Sequence, residues 1–375
     1  MSSVNLRTTK KKKAANAEPS ISLPILQDSG LRRQIERLAQ LTAFHDLPHA
    51  YGQPALGGVI RQRLEDFSVS EVLPFTPCGV GEHLYLYIRK TGQNTRWVAK
   101  RLAESAGVAY RDVGFAGLKD RHGVTEQWFS VHLPGRADPS PGAIAIDGVE
   151  ILGVRRHGSK LRTGTVQANR FRLVIRDLAG DRAGMADRIS LVEQTGVPNF
   201  FGPQRFGIEN RNLYLLLDDV SRGGRLGRES RSFGLSALRS ALFNGFLAER
   251  VRAGDWRAPL PGEMRHDPAT RRFSLETGSP TGLLWGCGEN QATGLALAKE
   301  TVWFDRFDKV TNLLGSYGVR MMRRPLVLST SEIGWRVEDD ALILEFSLGR
   351  GAYATSVLRE IVNITDAGYR RDHDA

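Results

Sequence analysis

The alternation of apolar and polar residues that is typical of half-buried strands stops near Val197 and returns only at residues 342–346. Residues 67–73 show this alternation clearly before the break. Within the break, apolar residues recur at the four-residue spacing of a helix face, at Leu238, Leu242 and Phe246. We therefore expect an α+β protein whose mixed α/β sheet contains at least one antiparallel pairing and closes with C-terminal residues around an insertion.

These changes of pattern divide the chain into three parts. Residues 1–22 are polar, rich in lysine and without periodicity, which predicts a disordered basic tail. Residues 23–196 and 329–375 together are expected to form the domain that carries the sheet. Residues 197–328 are expected to form the inserted domain.

Three local predictions accompany this division. Asn94 offers an N-cap to a helix that Gly107 stops. Apolar residues at helical spacing in 31–41 predict a short amphipathic helix outside the main body. The Gly- and Pro-rich stretch 250–290 predicts mostly loop.

The formal charge of +11, from 52 Lys and Arg against 41 Asp and Glu, favours a polyanionic partner. Basic proteins gain affinity for phosphate chains because binding releases counterions. Five of the positive charges lie in the first 17 residues, and subtracting them still leaves +6 for the rest of the chain. On charge alone, a solvated basic surface is an equally good interpretation.

Several classes of protein are disfavoured by composition. Cys78 and Cys287 lie far apart in the sequence, which excludes a disulfide framework and a C-x-x-C metal site. The chain has no run of about 18 uninterrupted apolar residues and no apolar segment near its start, so neither a membrane span nor a secretory signal is expected. We therefore expect a cytoplasmic protein in a reducing compartment.

One loop concentrates charge, because Lys119, Asp120 and Arg121 stand between Gly117 and Gly123 with strand-like apolar segments on either side. The two cations favour the ionised form of the carboxylate. The two glycines let the backbone take angles closed to other residues and approach a ligand closely. From this spacing alone, an Asp is more often a turn or capping residue than a nucleophile.

The loop closely resembles the G-x-K-D-x-x-x-x-T-x-Q motif of the TruD family of tRNA pseudouridine synthases, in which the Asp is the nucleophile. The resemblance continues in the same order over nearly all of residues 57–363. Further matching motifs are Glu65-Asp66-Phe67, Gly202-Pro203-Gln204-Arg205-Phe206-Gly207 and Ala352-Tyr353-Ala354-Thr355. Each motif alone is a weak signal, whereas several in the family's order form a specific one.

The resemblance implies both a fold and a substrate. The fold is a pseudouridine-synthase catalytic domain with a mixed, largely antiparallel sheet, interrupted at residues 197–328 by a mostly helical TruD-specific domain. The cleft between the two domains would hold tRNA, in which the family isomerises the uridine at position 13 of the D arm, typically in the glutamate acceptor. The resemblance implies neither a cofactor nor a protein partner, and we expect a monomer.

The resemblance also assigns roles to individual residues. Asp120 falls on the nucleophile, and Phe67, Asn169 and Tyr353 fall on substrate-contacting positions. The two rings can sandwich a uracil base, and the Asn amide can donate to and accept from its edge. On pattern alone, core packing is the better explanation of the aromatic residues.

Supporting positions follow from the same comparison. Phe171 matches a position that faces the catalytic Asp and carries Tyr in many other pseudouridine synthases, so it can shape the pocket without relaying a proton. Lys119 either anchors a phosphate, tunes Asp120 or lies solvated at the surface. Gln204 and Arg205 hold either the domain junction or the RNA backbone.

The chain departs from the family's usual residues at three positions. Arg61 replaces a Lys, which keeps the charge but exchanges a point cation for a planar fork. Leu64 replaces a Pro, and Tyr353 replaces a common Phe and adds a hydroxyl that needs a partner. None of these changes removes the nucleophile, so we expect activity.

The implied reaction needs one ionised carboxylate, because uridine loses its N-glycosidic bond and rejoins through carbon with no redox change. Asp120 can add to the ring, add to the sugar carbon or take a ribose proton, and the residues do not choose among these routes.

Two other functions are compatible with parts of the pattern. A noncatalytic RNA-binding or RNA-folding protein explains the charge but not the Asp between two cations. A glycosidase with paired carboxylates needs a second acid, for which the loop offers only Glu126.

Overall fold

The structure is a computed structural model that describes residues 29–139, 144–221, 226–330 and 332–368. The predicted disordered tail, residues 1–22, lies outside the described residues.

Eight α-helices and sixteen strands are found in the described parts of the chain. In chain order they are α1 (Ser29–Leu41), β1 (Leu56–Ile60), β2 (Phe67–Val72), β3 (His83–Thr91), α2 (Thr95–Ala106), β4 (Val113–Phe115), β5 (Val124–His132), β6 (Val149–His157), β7 (Ala168–Gly180), α3 (Met185–Thr195), β8 (Val197–Pro198), α4 (Arg211–Ser221), α5 (Arg228–Arg252), β9 (Arg265–His266), β10 (Phe273–Ser274), β11 (Ser279–Leu284), α6 (Gly294–Asp305), α7 (Asp308–Ser316), β12 (Met322–Pro325), β13 (Val327–Leu328), β14 (Gly334–Glu338), β15 (Ala341–Gly349), α8 (Ala354–Ile361) and β16 (Asn363–Asp366). None of the described helices is long and apolar enough to span a membrane.

A ten-stranded sheet forms the larger part of the fold. Its main path is β14-β15-β7-β2-β5-β3-β6, with β1 beside β7, β16 beside β1 and β4 beside β5. The β2–β5 and β1–β16 pairs are parallel, and the other pairs are antiparallel. The predicted α+β fold with a mixed, largely antiparallel sheet is therefore confirmed.

Three helices cover the sheet. Helix α2 packs on β3 and β5 through a buried cluster that includes Val98 and Leu102, whereas α3 and α8 pack on β1, β2 and β7. The predicted caps of α2 are present, because the Asn94 side chain accepts a hydrogen bond from the backbone N–H of Arg96 and Gly107 ends the helix in the left-handed conformation. We call the sheet with these three helices the sheet region.

The segment between β8 and β13, which we call the helical region, is built around α5. The apolar residues of α5 that the spacing predicted, Leu238, Leu242 and Phe246, are all buried there. Against them pack α4, α6, α7 and a small sheet with the order β10-β9-β11-β12. This sheet occupies part of the stretch 250–290 that was expected to be mostly loop. Its strands β9 and β10 have only two residues each, and the middle four residues of β11 are all buried, so none of the three shows an alternation of apolar and polar residues.

Helix α1 also packs on the helical region, although it precedes the sheet in sequence. Its Leu31, Ile35 and Leu38 are buried in the core that contains α5 and α7, and Gln34 donates to Asp308 over 2.6 Å. The prediction that this helix lies outside the main body is therefore wrong. Its apolar face has a partner more than 200 residues further along the chain, which a local pattern does not reveal.

The chain leaves and re-enters the sheet region through adjacent strands. Val197 in β8 pairs with Leu328 in β13, and Pro198 pairs with Val327. The domain limits expected at residues 197 and 328 fall on this two-residue ladder.

Candidate active site between the sheet and helical regions

A cavity of about 410 Å³ lies between the two regions. From the sheet region it is lined by Phe67, Val69, Leu118, Lys119, Asp120, Asn169, Phe171 and 352–355, and from the helical region by Gln204, Arg205, Asn212 and Phe233. Eight of the nine predicted site residues line it, and the ninth, Arg61, lines an adjoining cavity of about 250 Å³ that also contains Asp120 and Gln204.

The Asp120 loop is held at its backbone by the elements around it. The Asp120 carbonyl accepts a hydrogen bond from Lys90, and the backbone N–H of Lys119 donates to the Thr95 hydroxyl. Gln127, the last residue of the resemblance motif, donates to the carbonyl of Gly117 over 3.2 Å. These contacts leave the Asp120 carboxylate 38% exposed and facing the cavity.

Lys90 is a buried cation that the sequence analysis missed. It is fully buried, and its Nζ lies 2.8 Å from each of the carbonyl oxygens of Gln93 and Asp120. Burial lowers its pKa to about 8, although the nearby Asp120 opposes that shift. The signal was present in the sequence, because Lys90 continues the buried alternation of Leu84, Leu86 and Ile88.

Arg61 lies beside the candidate nucleophile, as the resemblance implies. Its Nη2 is 3.6 Å from Oδ2 of Asp120, and its guanidinium lies over the Phe67 ring at 4.0 Å from the centroid. Its Nη1 donates to Oδ2 of Asp366 over 2.9 Å. Asp366 was also missed, because only the parallel β1–β16 pairing, in which Ile60 is opposite Asp366, brings it to the site.

Lys119 points into the protein rather than to solvent. Its Nζ lies 3.0 Å from Oε2 of Glu71 and donates to Oδ1 of Asn169 over 2.6 Å. The alternative of a solvated surface lysine is therefore wrong. Glu71 is buried and follows Phe67 and Val69 on the buried face of β2, so a charged residue at a buried position was the missed signal here too.

The contact with Lys119 orients Asn169 for binding. Because Oδ1 accepts from the ammonium, Nδ2 is the amide group that can donate to a carbonyl of a ligand in the cavity.

The aromatic residues of the cavity belong to the core and to the site at once. Phe67 is only 2% exposed and meets Phe171 edge to face at 6.2 Å between ring centroids. Phe171 in turn stacks on Phe346 at 5.7 Å. The Tyr353 ring is half-buried and meets Phe201 edge to face at 5.9 Å.

Arg205 joins the two regions at the cavity. Its Nε donates to the Tyr353 hydroxyl over 3.0 Å, and its Nη1 donates to the Ser236 hydroxyl of α5 over 2.7 Å. Tyr353 thus has the partner that its hydroxyl requires. These bonds place Arg205 at the junction of the regions, one of the two positions expected for it. Gln204 lines both cavities.

The two loop glycines have ordinary backbone angles, and only the room around them distinguishes one from the other. Neither Gly117 nor Gly123 has a positive φ, so the prediction of angles closed to other residues is wrong. A Cβ at Gly123 would lie 2.5 Å from the Phe67 carbonyl oxygen, whereas one at Gly117 would meet nothing within 4 Å. Gly123 alone is therefore needed for close approach.

Glu126 does not form a carboxylate pair with Asp120. It accepts hydrogen bonds from Ser70, Tyr87 and Arg89 and does not line the cavity. Burial raises its pKa, but these hydrogen bonds outweigh burial and hold the pKa below its usual value. The catalytic acid of a glycosidase has a raised pKa, so neither the pKa nor the position of Glu126 supports the glycosidase hypothesis. In the described part of the chain, no group of three or more His, Cys, Asp or Glu side chains is arranged to hold a metal ion.

The fold resembles that of a solved structure. A crystal structure from Methanosarcina mazei, described as a candidate tRNA pseudouridine synthase D, matches 87% of this chain and 98% of its own length with a TM-score of 0.65. The two sequences are 19% identical, so this likeness concerns the fold alone.

Sequence comparison defines the family. The sequence model of the family tRNA pseudouridine synthase D (TruD) matches residues 47–223 and 224–361. The tRNA pseudouridine synthase D of Methylococcus capsulatus is 43% identical over 344 residues, covering 87% of this chain and 97% of that protein. That of Nitrosococcus oceani is 42% identical over 346 residues, covering 85% and 94%. The chain belongs to the TruD family of tRNA pseudouridine synthases, which are isomerases.

Proposed function

We propose that this protein converts the uridine at position 13 in the D arm of tRNA, for example the glutamate acceptor, to pseudouridine, with Asp120 as the nucleophile. The observation that carries the proposal is the partly exposed Asp120 carboxylate, which shares one cavity with Asn169 and Tyr353 and lies 3.6 Å from the Arg61 guanidinium. Family membership supplies the reaction class.

The reaction breaks the bond between N1 and C1′ and forms a bond between C5 and C1′, while the proton on C5 is replaced by one on N1. Asp120 starts this exchange by adding to the ring, adding to C1′ or removing a ribose proton. Arg61 stabilises the carboxylate before attack, and its planar fork keeps it in place by also binding Asp366.

The uridine must leave its stack to reach the carboxylate. In the proposed complex, the half-buried Tyr353 ring supplies a stacking face and Phe67 forms the wall against which the base rests. Asn169 donates from Nδ2 to a uracil carbonyl, with Lys119 holding the amide. Phe171 shapes the pocket below Phe67 without a hydroxyl to relay protons.

The RNA backbone is proposed to lie across the mouth of both cavities. Arg121 lines the smaller one beside Asp120, where its guanidinium can contact phosphates, and His122 lines it as well. The body of the chain remains basic without its first 17 residues, at +6 after five charges are subtracted from +11. We propose that residues 23–196 with 329–375 act as the catalytic domain and residues 197–328 as the inserted domain, with the tRNA between them.

Mapping of pseudouridine at single positions in unmodified tRNA tests the proposal. Wild type should convert uridine 13, Asp120→Asn should convert none while still binding tRNA, and Asp138→Asn should match wild type. Asp138 is a suitable control because its carboxylate pairs with Arg156 and lines neither cavity. A fully active Asp120→Asn protein would overturn the role of Asp120. Tight tRNA binding without modification by wild type would favour a noncatalytic RNA-binding protein.

A further inference from the structure

Exposed apolar side chains surround the candidate nucleophile. Phe233 of α5 is 41% exposed and Leu118, two residues before Asp120, is 54% exposed, and both line the cavity of about 410 Å³. Ile208, also exposed, lines the adjoining cavity that shares Asp120. Single exposed apolar residues are ordinary on a protein surface, but here three of them line the two cavities that share one carboxylate, and apolar side chains at a cavity are typical of a binding site.

The Phe233 ring is held on a rigid support. The next residue, Gly234, is buried against α4, where a Cβ would lie 2.9 Å from the Leu216 side chain, so α4 and α5 meet closely at this point. One turn further along α5, Ser236 accepts a hydrogen bond from Arg205. A ring fixed in this way loses little conformational freedom when a planar ligand stacks on it.

The cavity has two walls, one from the sheet region and one from the helical region, and they carry different side chains. The sheet wall carries Asp120, Asn169 and Phe67, which the proposed function assigns to the reacting uridine. The helical wall carries Phe233 with the amides of Gln204 and of Asn212, whose Nδ2 donates to the Arg205 carbonyl and whose Oδ1 can accept from a ligand. The proposed reaction assigns no role to these three side chains. An aromatic face with amides beside it suits a second nucleobase, because every base has a flat face to stack and polar edges to bind.

We infer that Phe233, opposed by Leu118, is a second stacking site that takes the base next to the reacting uridine in the RNA strand. This inference rests on the proposed function, which places the uridine at the sheet wall of the same cavity. When a uridine leaves its stack, the adjacent base loses a neighbour, and a protein ring that replaces that neighbour stabilises the opened RNA.

The test compares wild type, Phe233→Ala, Phe233→Trp and Phe273→Ala in the full-length protein. Phe273 is a matched control, since it is also a phenylalanine, is 42% exposed and lines neither active-site cavity. The substrates are a tRNA transcript and the same transcript with an abasic nucleotide immediately 5′ or 3′ of uridine 13. Thermal unfolding of each variant confirms that it is folded.

Phe233→Ala should raise KM for intact tRNA about tenfold with a smaller change in kcat, because stacking on an aromatic residue contributes mainly to binding. Phe233→Trp, which keeps an aromatic face, should recover most of the affinity that Phe233→Ala loses, and Phe273→Ala should stay within about twofold of wild type. With one of the two abasic transcripts, wild type and Phe233→Ala should become equal. A Phe233→Ala protein that matches wild type on intact tRNA, or that keeps its full defect on both abasic transcripts, would overturn the inference.

Equilibrium binding of the same three RNAs separates this inference from the proposed function. Failure of the proposed function appears as no pseudouridine with wild type and intact tRNA. The stacking site is ruled out if the ratio of the Kd values of Phe233→Ala and wild type is the same for intact tRNA and for both abasic transcripts. The binding measurement needs no turnover, so it decides the stacking site in either case.

Discussion

The guanidinium of Arg61 bridges two carboxylates, since its Nη1 lies 2.9 Å from Oδ2 of Asp366 and its Nη2 lies 3.6 Å from Oδ2 of Asp120. A lysine ammonium is a compact charge on a flexible stem, whereas the planar fork of an arginine can meet two partners in fixed directions. We therefore expect Asp366 to position Asp120 through Arg61.

We expect Asp366→Asn to lower kcat about tenfold with little change in KM, because the ion pair with Arg61 is replaced by a weaker hydrogen bond from the guanidinium to a neutral amide oxygen. The effect of Asp366→Asn on kcat should be smaller in an Arg61→Lys background, because a lysine ammonium cannot contact Asp366 and Asp120 in fixed directions at the same time. Steady-state rates of the four proteins in this double-mutant cycle give the coupling. Equal effects of Asp366→Asn in both backgrounds would show that Asp366 acts independently of Arg61.

Tyr353 allows its ring and its hydroxyl to be tested separately. Tyr353→Phe removes the 3.0 Å hydrogen bond with Arg205 and should change kcat/KM no more than about fivefold, since such a bond contributes about 1 kcal/mol net. Tyr353→Ala removes the proposed stacking face and should lower kcat/KM about 100-fold. Initial rates on unmodified tRNA distinguish the two, and a Tyr353→Phe protein as inactive as Tyr353→Ala would assign the role to the hydroxyl.

Lys90 should make stability depend on pH in the alkaline range. Its pKa is lowered from 10.5 to about 8 by burial, so the unfolded chain holds this proton more tightly than the folded one. The cost of the buried charge is complete below about pH 8 and is relieved as the pH rises towards 10.5. Urea unfolding should show wild type gaining about 1 kcal/mol relative to Lys90→Met between about pH 7.5 and 9. Parallel pH curves for the two proteins would contradict this expectation.

Lys119 should matter for stability as well as for binding. Lys119→Met leaves the buried Glu71 carboxylate without its cation, 3.0 Å away in the native protein, and should cost about 3–5 kcal/mol in the free energy of unfolding. Adding Glu71→Gln should recover part of that loss. Lys100→Met is the control, because Lys100 and Glu104 form an exposed pair at 4.0 Å, and it should change stability by less than about 0.5 kcal/mol in urea unfolding.

The two loop glycines should respond differently to the same substitution. Gly123→Ala places a Cβ 2.5 Å from the Phe67 carbonyl oxygen, so the loop must shift, at a cost of about 1–3 kcal/mol and with a loss of activity of at least about tenfold. Gly117→Ala meets nothing within 4 Å and should leave Tm and rates nearly unchanged. Thermal unfolding and initial rates are the measurements. Equal defects in both variants would show that glycine is needed for backbone flexibility and not for the lack of room for a Cβ.

Local patterns in the sequence predicted the longer strands of the sheet and the central helix α5, because buried residues recur every second residue in a strand and every three to four residues in a helix. Residues 67–73 and the helix face of Leu238, Leu242 and Phe246 are cases where burial follows spacing directly. The same patterns also placed Glu71 and Lys90 at buried positions. The role of a charged residue at such a position can be assigned only when its partner is known.

The partners of Glu71 and Arg61 come from distant parts of the chain, and that is why these contacts were missed. Glu71 is paired by Lys119, and Arg61 is bridged to Asp366, which lies 305 residues further on. Likewise, the buried face of α1 packs against helices that come only after the first seven of the ten strands of the sheet. Asn169 and Tyr353 were predicted from the family resemblance alone, because nothing in their local sequence distinguishes a wall of a cavity from ordinary packing.

The ladder between Val197 and Leu328 has a consequence for how the molecule is put together. Opposite residues in an antiparallel pair are only about 4.5–5.5 Å apart, so the helical region begins and ends at one two-stranded ladder, β8 with β13, within the span of a tight turn. The helical region therefore occupies the place of the loop that would connect these two strands in a hairpin. It can therefore be exchanged or enlarged without a change in strand order, although Arg205 and Phe233 would leave the cavity with it.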